Sequence, residues 1–124
     1  MKTIKNIAIA AGLTIAALPA LAQAQDGEIG YAKGSLAYDA LVAGDNEAAV
    51  QKLEGERLTD PAVMINLGQA YARTGRPGDA AKMFMAAMNS NRSFDLVLAD
   101  GQVVNSRKAA EIALNSLNGR LASR

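Results

Sequence analysis

The chain has no cysteine, no histidine and no tryptophan. Each absence removes a class of function. Without cysteine there is no disulfide framework, no thiolate metal site and no cysteine nucleophile. Without histidine there is no imidazole base, no Ser-His-Asp triad and no histidine-ligated zinc or haem. Charged residues make up 20 % of the chain, with no long block of one sign. That is not the composition of a disordered segment. What is present is 124 residues, half of them apolar, which is room for one small domain.

Residues 1–24 have the layout of a secretory signal peptide. Lys2 and Lys5 make a positive start, and Ile7 to Leu18 is an uncharged run of 12 residues rich in Ala, Ile and Leu. Pro19 ends the run and small residues follow. A bilayer span needs about 20 apolar residues, so this run is too short to be one. Cleavage is expected after Ala24, with Ala22 as the competing site, leaving residues 25–124 as a single domain. The absence of a cysteine after the run excludes lipidation at a processed terminus. Removing Lys2 and Lys5 takes the formal charge from +1 to −1. The basic balance of the full chain thus belongs to the leader. Net charge then gives no support to a nucleic-acid or membrane-surface partner, and neither is expected. Export with no disulfide leaves about 100 residues to be held by packing alone, which is marginal at that size.

An offset of 31 aligns the middle of the chain with itself. Leu36-Ala37 falls on Leu67-Gly68, Ala40 on Tyr71, Gly44 on Gly75, Ala49 on Ala80, and Leu53 on Phe84. A period in this range marks stacked supersecondary units. The local signals make each unit a helix-turn-helix. In the second, Asp60 can cap a helix that opens at Pro61. Met64, Leu67, Gly68 and Tyr71 follow on one face. Gly75 supplies a left-handed end. Pro77 opens the next helix, with Asp79 in its first turn and Ala80, Phe84, Ala87 and Met88 as its stripe. The first unit has a helix from about Ser35 to Ala43, starting as early as Tyr31, then Gly44, then an Asp45-capped helix with Ala49, Val50 and Leu53. Gly68 and Ala80 are expected on facing helices, where the lack of bulk lets the axes approach. A mid-helix glycine costs about 1 kcal/mol against alanine, which packing must offset.

The stretch Leu67-Gly68-x-x-Tyr71, then Gly75, Ala80, Phe84 and Ala87, resembles the tetratricopeptide repeat. Met64 stands at the family's large position, and Arg92 where its closing proline would be. The first unit departs further, with Lys33, Ala37 and Ala40 at the large, glycine and tyrosine positions, and Pro61 as the closing proline. The spacing of 31 is shorter than the family's repeat of about 34. The resemblance covers about residues 30–92 and implies paired helices with a concave face, lined by the first helix of each repeat, that binds a peptide or partner protein. On that face it places Tyr38, Asn66, Gln69 and Arg73. The last three recur at i, i+3 and i+7, on a face opposite much of the apolar stripe. Amide and guanidinium groups there can bond a peptide's backbone or carboxylate.

The last third of the chain reads differently. Phe94, Leu96 and Leu98 alternate, Asp100-Gly101 follows, and then Gln102-Val103-Val104. This predicts a short β-hairpin at about 94–104 with a type I′ turn. Asn105 or Ser106 can cap a final helix with Ala110, Ala113, Leu114, Leu117 and Leu121 as its stripe. Arg120 and Arg124 suit the end of that helix. Two repeats leave an apolar face open, and this helix is expected to cap the second.

No catalytic set emerges. The glycines around Gly75-Arg76-Pro77-Gly78 do not match a phosphate loop. Asp45-x-Glu47 lacks calcium-loop spacing, and Glu47 there suits the helix dipole. Ser106 before Lys108 reads as a helix cap, not a nucleophile. Met83, Met85 and Met88 could suggest copper by thioether ligation, but Met83 and Met88 lie near the core stripe beside Phe84, where they read as packing. The expectation is a mainly α chain of two helix-turn-helix units and a capping helix. No catalytic residue, metal or cofactor is expected. The chain is read as an interaction or adaptor module of the Gram-negative periplasm, with secretion the other destination such a leader allows. Two alternatives stand beside it. One is a small hydrolase or lyase using carboxylates, which requires some Asp or Glu in a cleft with a raised pKa; Glu54, Glu56 and Asp60, at a helix end and inter-repeat loop, read as solvated. The other is a homo-oligomer segment, which requires an exposed apolar patch over Tyr31 to Leu41.

Overall fold

The computed structural model describes residues 4–9, 36–98 and 100–123. The expected cleavage sites, most of the apolar run before them, and the Tyr31, Lys33, Ser35 and Arg124 positions lie outside the described residues. The chain is mainly helical, with a small sheet.

The first unit is α1 (Tyr38–Ala43) and α2 (Asn46–Glu54), and the second is α3 (Pro61–Arg73) and α4 (Pro77–Met88). The expected caps form. The Asp45 carboxylate accepts from the Ala48 N–H at 3.2 Å, and that of Asp60 from the Ala62 N–H at 2.8 Å. Gly44 and Gly75 both take positive φ, 81° and 78°. Just beyond them, Asp45 N–H donates to the Ala40 carbonyl and Arg76 N–H to that of Tyr71, both at 2.8 Å. These are the same six-residue closing bonds. Donor and acceptor are each displaced by the period read in the sequence, so the repeat exists as backbone geometry. The first helix is shorter than expected. Ala37 sits in the left-handed region at φ 52°, which an α-helix of L-residues does not accommodate, so α1 begins at Tyr38.

Phe84 explains Gly68. A methyl added at Gly68 would lie 2.5 to 3.0 Å from three atoms of the Phe84 ring. Both Phe84 and Ala80 are fully buried on α4. The close approach is therefore ring to backbone. Beyond its contact with α4, α3 touches α1, α2 and the last helix, α5 (Ser106–Ala122). Every residue from Pro61 to Tyr71 is buried as a result.

α5 packs on α4 and reaches α3. Asn105 caps it, accepting from the Arg107 N–H at 3.0 Å. Ala110, Ala113 and Leu117 are buried, joined by Ala109, but Leu121 is 41 % exposed. α5 runs 17 residues against 12 in α4, about 26 Å against 18 Å, and residues 118–123 at its end are exposed. Strands β2 (Asp95–Leu98) and β3 (Val103–Asn105) pair antiparallel, Leu96 opposite Val104. The connection is not the type I′ turn expected. Leu98 N–H donates to the Gln102 carbonyl and Gly101 N–H to that of Leu98. Gly101 has φ 87°. A type I′ hairpin closes over two residues; these bonds close over three, with glycine in the left-handed place. Strand β1 (Ile4–Ile9), inside the segment read as a leader, pairs parallel with β2, with an irregularity between the Ile4–Asp95 and Ala8–Val97 pairs. No helix among the described residues is long and apolar enough to cross a membrane.

Candidate binding site on the third helix

Asn66, Gln69 and Arg73 lie along α3, as their spacing requires. They do not form an open face. Asn66 and Gln69 are buried and Arg73 is half-buried. Tyr38, on α1, is buried as well. The expected exposure is corrected by α1, which packs on α3 with the residues leading into it.

Two donors of this row are engaged by the chain itself. The Asn66 side-chain N–H donates to the Leu36 carbonyl at 3.0 Å, within the interior. Seven residues along the helix, an Arg73 guanidinium N–H donates to the Leu41 carbonyl at 2.9 Å. The chemistry expected for a bound peptide is amide and guanidinium donors on main-chain carbonyls. It occurs here with residues 36–41 as the segment held. Burial pushes the Arg73 pKa down, and the neighbouring Arg120 charge pushes the same way. A charge-bearing donor to a neutral carbonyl is thus kept in a partly desolvated place.

The fit is incomplete. The other atom of the Asn66 amide, Oδ1, is buried with no hydrogen-bond partner, and so is the Tyr38 hydroxyl. A buried polar atom without a partner costs about 1–3 kcal/mol. Burial raises the Tyr38 phenol pKa, and the Asp39 charge adds to that. Leu36, Tyr38 and Leu41 are buried, so the part of the Tyr31–Leu41 stretch that is described offers no exposed apolar patch.

A second polar cluster joins the two units. The Tyr71 hydroxyl donates to Glu54 Oε1 at 2.7 Å. The Arg76 guanidinium lies 4.3 Å from the centre of the Tyr71 ring, 3.6 Å from Glu54 and 2.9 Å from Asp79. Burial and the hydrogen bond to Glu54 raise the Tyr71 pKa. Glu54, read as a solvated carboxylate, is an exposed member of this clamp, and Asp60 is a helix cap. Among the described residues no three Asp, Glu, His or Cys side chains come together as a metal site. Met83 and Met88 pack against the core while Met85 faces solvent.

No protein-family model, no curated protein and no solved structure matches the chain.

The burial of the row had a signal in the sequence. From Pro61 to Tyr71 only Asn66 and Gln69 are polar apart from the Tyr71 hydroxyl. A helix apolar on nearly all sides is buried on nearly all sides. The Glu54–Tyr71–Arg76 clamp had none, because it joins residues across two helix ends.

Proposed function

We propose that the chain is an interaction or adaptor module of the tetratricopeptide kind, exported by its leader to the periplasm, that holds a peptide or partner protein along α3. One observation carries this reading. Asn66 and Arg73 already grip main-chain carbonyls five residues apart, those of Leu36 and Leu41. Main-chain carbonyls are common to every peptide, so donors arranged for them suit recognition of a chain segment. Two further features agree. The helix endings at Gly44 and Gly75 repeat at the spacing that suggested the family, and α5 lies against the second unit as a cap would.

The test is affinity capture from periplasmic extract. Wild type and a Gln69→Ala, Arg73→Ala variant, both checked as folded by circular dichroism, serve as bait. The variant is expected to lose the partner that wild type retains. Equal recovery by the two removes this surface from the proposal. Mass spectrometry of the exported chain is expected to find Gln25 at its N-terminus.

A further inference from the structure

We infer that α1, with Leu36 and Ala37 before it, is a built-in occupant of the α3 row, and that a partner segment binds by displacing it. The inference rests on the binding reading above and states how that site is regulated. It also names the class of partner: a short apolar segment that reproduces Leu36-Ala37-Tyr38-x-x-Leu41 and offers its carbonyls to Asn66 and Arg73.

Four observations lead there. The cover is short, six residues of helix, well below the length at which a helix holds itself. It opens on Ala37, an L-residue held in left-handed backbone at φ 52°, a conformation that persists only when its surroundings impose it. Its seat leaves Tyr38 Oη and Asn66 Oδ1 buried and unpartnered, so docking sacrifices two hydrogen bonds that water would supply. Yet the seat is specific, because Leu36, Tyr38 and Leu41 are buried and two side chains of α3 hold the segment's carbonyls. A segment held specifically but under strain is the kind of unit that opens by itself while the rest of the fold stays closed.

Two measurements test this on the full chain. Hydrogen exchange should find the α1 amides from Leu41 to Ala43 exchanging at least about tenfold faster than those of Leu67 to Tyr71 in α3. Equal protection in the two helices overturns the inference, since α1 would then leave only when everything unfolds. The second measurement is fluorescence anisotropy with a labelled peptide of residues 35–44. Saturable binding is expected. It should tighten for a Tyr38→Asp variant, in which the internal occupant is weakened, and weaken about tenfold or more for Asn66→Ala with Arg73→Ala. A peptide that binds neither wild type nor the variant overturns the inference. Should Tyr38→Asp unfold, exchange and peptide binding on wild type decide alone. Capture of an extract partner without peptide binding removes this mechanism and leaves the adaptor reading. Peptide binding without any captured partner does the reverse.

Discussion

In the first unit Gly44 turns the chain and Asp45 closes the helix onto Ala40; in the second, Gly75 turns it and Arg76 closes onto Tyr71. That closing bond is common to both endings, but the helices they end do not match. α3 has 13 residues and is enclosed by four other helices, whereas α1 has six. At aligned positions Gly68 lies mid-helix under the Phe84 ring, and Ala37 lies outside α1 in left-handed backbone. Local chemistry made the turns alike. Packing made one helix the centre of the fold and the other its cover.

The sharpest way to break this comparison is to add a methyl at Gly68. Alanine there gains about 1 kcal/mol in helix propensity. It forces a methyl to within 2.5 Å of a fully buried ring, at an overpacking cost of about 1–3 kcal/mol. Gly68→Ala should lose up to about 2 kcal/mol net in urea denaturation, and Phe84→Leu in the same chain should recover part of it. A Gly68→Ala chain as stable as wild type would show that the ring has room elsewhere.

The two turn glycines come next. Both hold positive φ and neither side chain site is crowded, so alanine costs only backbone strain. Gly75→Ala should lower global stability by about 1–2 kcal/mol. Gly44→Ala should lower it by less, because α1 contributes less to the closed fold. Equal losses in matched urea titrations would erase the difference between the two helices.

The smallest effect concerns the clamp between the units. Tyr71→Phe removes the hydrogen bond to Glu54 and should cost about 0.5–1.5 kcal/mol. The Tyr38 and Tyr71 phenols are both raised above their ordinary value. The fold therefore favours their protonated forms. Their contribution is complete below about pH 10 and is lost as pH rises through the raised values. Alkaline urea titrations should show stability falling there, and less steeply for Tyr71→Phe. Identical slopes would mean that Tyr38 or other groups carry the whole alkaline loss.

Much of this architecture was readable because its signals are local. Asp60 before Pro61, Gly75 before Pro77, and Asn105 before the last stripe each act within one helical turn, and each is found at its expected post. The hairpin was legible for the same reason, although its loop took three residues where Asp100-Gly101 suggested two. The candidate site was legible only as a row. That Asn66, Gln69 and Arg73 share a side of α3 follows from helical pitch. What lies over that side depends on residues some thirty positions earlier, and no pattern within α3 specifies them.

Amino-acid order set the starts of α2, α3, α4 and α5, the glycine turns, the repeat and the apolar stripes, since these arise from capping, glycine geometry and periodicity between near neighbours. Packing between distant elements set Phe84 into the space Gly68 leaves and brought residues 36–41 onto Asn66 and Arg73. It also decided that Glu54, Tyr71 and Arg76 meet. Such contacts depend on how elements distant in sequence share one volume, and close packing of that volume settles which side chains are exposed.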